Sequence, residues 1–147
     1  MAAHNELGHL GEAAAARYLV LHGYHILETD WHYGHCDIDI VVEKLGFIVF
    51  VEVKTRVSST FQTPEEAVDR QKMARLLASG HAYLRRQRLD KPIRFDVVSV
   101  VGSGPENFVI RHTKDAFSSA TLALERRYDG GVGHQMHIVT DHEADEY

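Results

Sequence analysis

The sequence holds one cysteine, Cys36, among 147 residues, so no intrachain disulfide can form and the usage fits a reducing cytoplasm. It has no run of 18 apolar residues, and no charged-then-apolar leader opens it. Both absences argue against a membrane-spanning or secreted protein and for a cytoplasmic one. Prolines number three, and no Pro/Gly/Ser-rich linker or internal repeat divides the chain. What is present is 44% hydrophobic residues, enough at this length to bury one core.

An excess of positive charge is also missing, since the formal net charge is −5. That average hides a segregation. Residues 1–53 carry 2 basic and 8 acidic side chains, residues 54–94 carry 10 and 4, and residues 129–147 carry 0 and 5. An acidic half beside a basic half could hold a cation next to a polyanion, although segregation along a chain need not become a surface patch.

The coarse pattern is α-β-β-β-α-β-β. Residues 5–22 read as a helix with Asn5 as N-cap, Leu7, Leu10, Ala14, Tyr18 and Leu21 on one face, and Gly23 just past its end. Strands follow at 24–31, 37–43 and 47–55. Thr63-Pro64-Glu65-Glu66 combines a capping box with proline at the first helical position and opens a helix to about Arg88. Strands at 93–101 and 108–112 complete one α/β domain over residues 1–128, with a mixed central sheet flanked by helices. Residues 129–147, with little apolar content, read as a flexible acidic tail whose His134, His137 and His142 are solvated rather than metal-bound.

The chemistry lies in the second and third strands. Period-two alternation puts Asp37 and Asp39 of DIDIVVE on one face, and Glu52 and Lys54 of VFVEVKTR on one face. A hairpin centred between Leu45 and Gly46 sets Asp39 across from Glu52 and Asp37 across from Lys54. Two carboxylates that close repel unless a proton or cation lies between them, and oxygen ligands at that spacing suit one shared magnesium ion. The plain alternative is surface ion pairing on an edge hairpin. The apolar residues on both faces of FIVFVEV favour a covered strand instead.

Asp39 followed by Glu52-Val53-Lys54 resembles the PD-(D/E)xK nuclease signature. Taken with GHLGEAAAARYLVLHGY, Trp31, FVEVKTR, Lys72, RFDVVSV and HTKDAF, the order is similar to the YraN-like family of small uncharacterised proteins, over residues 8 to about 117. That resemblance implies the fold of restriction endonucleases and archaeal Holliday junction resolvases, a magnesium or manganese ion, a nucleic-acid partner with DNA ahead of RNA, and a homodimer as in related resolvases. It further implies Asp39, Glu52 and the Val53 carbonyl as metal ligands and Lys54 as the catalytic cation. One position departs: this chain has Cys36-Asp37 where the family pattern has glycine and glutamate.

Other residues join as candidates. Glu12 sits on a lane of small and apolar residues of the first helix, opposite its main core stripe, so it faces either a protein surface or solvent, and the resemblance to the resolvases implies an acidic residue near the metal there. Lys72 falls between Val68 and Leu76 on the face of its helix that packs on the sheet, and it either snorkels outward or reaches the acidic pocket and a phosphate. Gln71, Arg56, Arg70, Arg75 and Arg85-Arg86-Gln87-Arg88 offer contacts to a phosphate backbone. His32, His35 and Cys36 invite a zinc reading that one cysteine and irregular spacing disfavour. Trp31 reads as a core anchor, and Asp96 as a structural hydrogen-bonding residue.

The expected activity is therefore metal-dependent hydrolysis of phosphodiester bonds. Two rivals remain: a nucleic-acid-binding module that keeps this fold with little or no cleavage, and an interaction protein whose acidic hairpin docks a partner.

Overall fold

The computed structural model describes residues 2–57, 68–122 and 144–146. Helix α1 covers Ala2–Leu21, and three strands follow at His25–Tyr33 (β1), Cys36–Lys44 (β2) and Phe47–Arg56 (β3). Helix α2 covers Arg70–Gln87, and β4 (Ile93–Val101), β5 (Val109–Phe117) and the short β6 (Ala144–Glu146) complete the order. No helix among the described residues is long and apolar enough to cross a membrane.

The six strands form one mixed sheet in the order β1-β2-β3-β4-β5-β6, in which only β3 and β4 run parallel. A parallel pair needs a crossover, and α2 supplies it. Helices α1 and α2 cover opposite faces. On one, Ala15, Tyr18 and Leu19 of α1 pack with Ile40, Val49, Val51, Val53, Val98 and Ile110. On the other, Met73, Leu76 and Leu77 of α2 pack with Ile48, Phe50, Phe95 and Val97. Strand β3 is thus buried on both sides, as its continuous apolar run requires. The turn into β3 places Leu45 at φ 51° and Gly46 at φ 83°, the doubly left-handed turn that matches the twist of a tight hairpin.

Three boundaries differ from the sequence reading. Helix α1 begins at Ala2, so Asn5 is inside it and not its cap. Helix α2 does not run unbroken from a proline cap: Val68 and Asp69 are not helical, and Asp69 caps a start at Arg70 by accepting the Lys72 N–H at 2.8 Å. The Thr63–Glu66 capping box lies outside the described residues. Strand β5 runs to Phe117 instead of stopping at His112. It does so through an irregularity at Asp115, whose φ of 52° is accommodated because its N–H bonds Asp96 Oδ1 at 3.0 Å. Most of the expected tail also lies outside the described residues, and Ala144–Glu146 pairs with Arg111–Thr113 of β5.

Candidate functional site

Strands β2 and β3 pair in the register that the Leu45–Gly46 turn dictates, from Lys44↔Phe47 to Ile40↔Val51. There the pairing ends, one residue short of setting Asp39 against Glu52. Asp39 Oδ2 instead accepts the backbone N–H of Val53 at 2.8 Å, so a side chain takes the amide that the next rung would have used. The N–H and C=O of one strand residue point the same way, so the Val53 carbonyl opens toward the same gap.

Beyond Ile40, β2 stays with β1. His32 pairs with Asp37, whose Oδ1 lies 2.5 Å from His32 Nδ1. The expected Asp37–Lys54 opposition is therefore absent: once β2 leaves β3, Asp37 takes its partner from β1. The flanking pairs Thr29↔Ile40 and Trp31↔Ile38 put Asp30 opposite Asp39, with Asp30 in the left-handed region at φ 49°. Asp30 escaped the sequence reading, yet the signal was present. A hairpin about Gly34 and His35, continued down β1, brings it to Asp39.

Glu12 arrives from the opposite direction. A Cβ on Gly11 would stand 1.9 Å from Thr55 Oγ1, so α1 lies directly on β3 at that point, and only glycine permits the approach. The next residue, Glu12, then meets the strands' carboxylates. Ligand oxygens of Glu12, Asp30 and Asp39 all lie within 4.8 Å of one another.

Glu52 stands beside this trio without belonging to it. Its side chain is 6% exposed, and its Oε1 is held by Lys72 Nζ at 2.5 Å, with Lys54 Nζ at 3.8 Å from the same oxygen. Asp39 and Glu52 share a cleft of about 400 Å³ with Asp37, Gln71, Lys72 and Arg75. The acidic first part of the chain and the basic helix that follows meet in this cleft.

The electrostatics follow from this crowding. Burial first, then the charges of Glu52 and Glu12, push the Asp39 carboxyl up to about 7 against the pull of the Val53 amide. Burial and Asp30 raise Glu12 as well. Burial and the neighbouring Lys72 ammonium lower Lys54. Burial also works against charge on Lys72, but its hydrogen bond to Glu52 outweighs that and holds it above the ordinary lysine value. Converging hard oxygen donors, one of them reluctant to ionise without a cation nearby, fit a divalent ion of the magnesium or manganese type.

The remaining candidates scatter. Gln71 is exposed in the first turn of α2 on the cleft, and Arg56 is exposed where β3 ends. His35 and Cys36 line the cleft while His32 is engaged by Asp37. Trp31 meets Tyr83 edge-on at 5.3 Å, half-buried against the core. Asp96 is fully buried and accepts from Arg94 Nε and Nη2, from His112 and from the Asp115 amide.

The comparisons with known proteins agree on one family. A family model described as uncharacterised protein family UPF0102 matches residues 11–100. A UPF0102 protein of Bacteroides thetaiotaomicron is 48% identical over 117 residues, covering 80% of this chain and 96% of that protein. Counterparts in Parabacteroides distasonis and Flavobacterium johnsoniae are 43% and 41% identical, each across 80% of this chain and 96% and 98% of their own lengths.

Proposed function

The chain belongs to the uncharacterised protein family UPF0102, the family whose YraN-like motifs it carries, and from that premise we propose that it binds nucleic acid and hydrolyses phosphodiester bonds with magnesium or manganese. The observation that carries this reading is the convergence of Glu12, Asp30 and Asp39 within 4.8 Å beside Glu52, at the point where β2 parts from β3.

Each residue has a role that its position supports. Asp39 is the hub, with Glu12 and Asp30 on one side and the Glu52 side chain and Val53 carbonyl on the other; these groups would hold the ion. A bound divalent ion supplies Lewis-acid polarisation of the phosphate and a water of lowered pKa. Lys54 presents an ammonium beside Glu52, where it would oppose the negative charge that develops on the phosphate. Gln71, Lys72 and Arg75 line the cleft, and with Arg56 they would grip the backbone without reading sequence. DNA is the favoured substrate, in a form recognised by shape.

A second reading has its own support. Lys72 already neutralises Glu52, so a protein that keeps the fold and binds nucleic acid with little cleavage is compatible with the same geometry. Labelled duplex, flapped, four-way and single-stranded DNA and RNA, incubated with magnesium or manganese, separate the two. Cutting that disappears in Asp39→Ala supports the nuclease, whereas binding without cutting, equal in both proteins, supports the binding module.

A further inference from the structure

We propose that Lys72 is a resident counter-cation for Glu52 that a divalent ion displaces, so that loading the carboxylates frees the Lys72 ammonium for a nucleic-acid phosphate. This rests on the reading of the site as a metal-dependent nuclease centre.

A carboxylate as buried as Glu52 needs a cation, and Lys72 provides one at 2.5 Å. The two partners are unequally free to move. Glu52 projects from a strand covered on both faces. Lys72 is fixed at its backbone by the Asp69 cap and carries its charge on a four-carbon stem. A magnesium ion on Glu52 Oε1 would stand about 2.0–2.1 Å from that oxygen. The Lys72 ammonium already takes that oxygen, with Lys54 as a second cation at 3.8 Å, so an arriving ion meets like charge there. Lys72 is the partner able to leave, because Lys54 sits on β3 itself. Its stem lines the cleft beside Gln71 and Arg75, so the released ammonium stays where a phosphate backbone would lie.

The test is manganese binding by calorimetry on the full chain without nucleic acid, for wild type, Lys72→Met, Lys72→Arg and Asp39→Asn. Lys72→Met keeps the stem and removes the charge. The expected result is manganese affinity about tenfold tighter than wild type, with Lys72→Arg close to wild type and Asp39→Asn much weaker. Equal or weaker binding by Lys72→Met overturns the proposal. Wild type binding no better than Asp39→Asn would instead remove the metal reading on which it rests. Should Lys72→Met fold poorly, side-chain NMR of lysine-labelled wild type decides. The Lys72 ε-methylene signal shifts on adding magnesium if the residue is displaced, and an unmoved signal overturns the proposal.

Discussion

Asp39 Oδ2 accepts the Val53 amide at 2.8 Å and thereby stands in for a backbone rung between β2 and β3. One carboxylate both closes the split in the sheet and faces the acidic cluster, so its ionisation affects stability and metal binding together.

The pH dependence follows in sign. The folded-state pKa of Asp39 is about 7, above its ordinary value of 3.8, so the folded chain holds a proton that the unfolded chain has lost between those values. Metal-free stability therefore falls as pH rises from about 4 to 7, by at most about 1.4 kcal/mol per pH unit from this group. Glu12, also raised, adds to the same slope. Urea melts at pH 5 and pH 8 are expected to show this loss in wild type and a flatter profile in Asp39→Asn. Parallel slopes would exclude Asp39 as the source.

Asp30→Asn removes one carboxylate of the trio and leaves the β1–β2 pairing intact. Manganese affinity is expected to drop about tenfold or more, with a melting temperature in chelator unchanged or raised because repulsion is relieved. An unchanged affinity would exclude Asp30 from the ion's ligands.

Gly11→Ala and Gly8→Ala form a matched pair on one helix. The first drives a methyl into Thr55, and the second meets nothing within 4 Å. Denaturant unfolding should show Gly11→Ala destabilised by about 1–3 kcal/mol and Gly8→Ala stabilised by about 0.5–1 kcal/mol. Gly11→Ala should also bind manganese more weakly, since Glu12 moves with the helix. Normal stability in Gly11→Ala would mean that α1 does not lie on β3 in this way.

Asp96 ties β4 to β5 in the interior of the sheet. Burial would raise its pKa, but the hydrogen bonds from His112 and Arg94 outweigh that and hold it below the ordinary value. Its stabilisation is complete above the unfolded carboxyl pKa and is lost as pH falls through the folded value. Asp96→Ala strands Arg94, His112 and the Asp115 amide, and a loss of about 3–5 kcal/mol is expected by chemical denaturation. A cost below 1 kcal/mol would contradict a buried network.

What the sequence made legible was local. Gly46 and the alternation around it set the β2–β3 register, because a tight turn fixes pairing on both sides. The end of that pairing could not be read, since it depends on a side chain outcompeting a backbone carbonyl for the Val53 amide. Asp30 needs only the second hairpin register, which runs unbroken from Tyr33↔Cys36 to Glu28↔Val41, but its left-handed φ of 49° within the strand is not written in the alternation. The helical face of Lys72 was readable, but its choice of Glu52 over solvent depends on how closely α2 lies to β3. The Asp69 cap at the start of α2 was overshadowed in the sequence by the fuller capping-box pattern at Thr63, which lies outside the described residues.

The chain's one tryptophan directly follows Asp30, meets Tyr83 of α2 edge-on, and lies under the Arg86 guanidinium at 5.8 Å. Its indole therefore joins β1 to α2, the helix whose first turns line the cleft. Any rearrangement of β1 or α2 alters its surroundings, so ultraviolet emission alone can follow a titration of this molecule without a dye, a tag or an engineered chromophore.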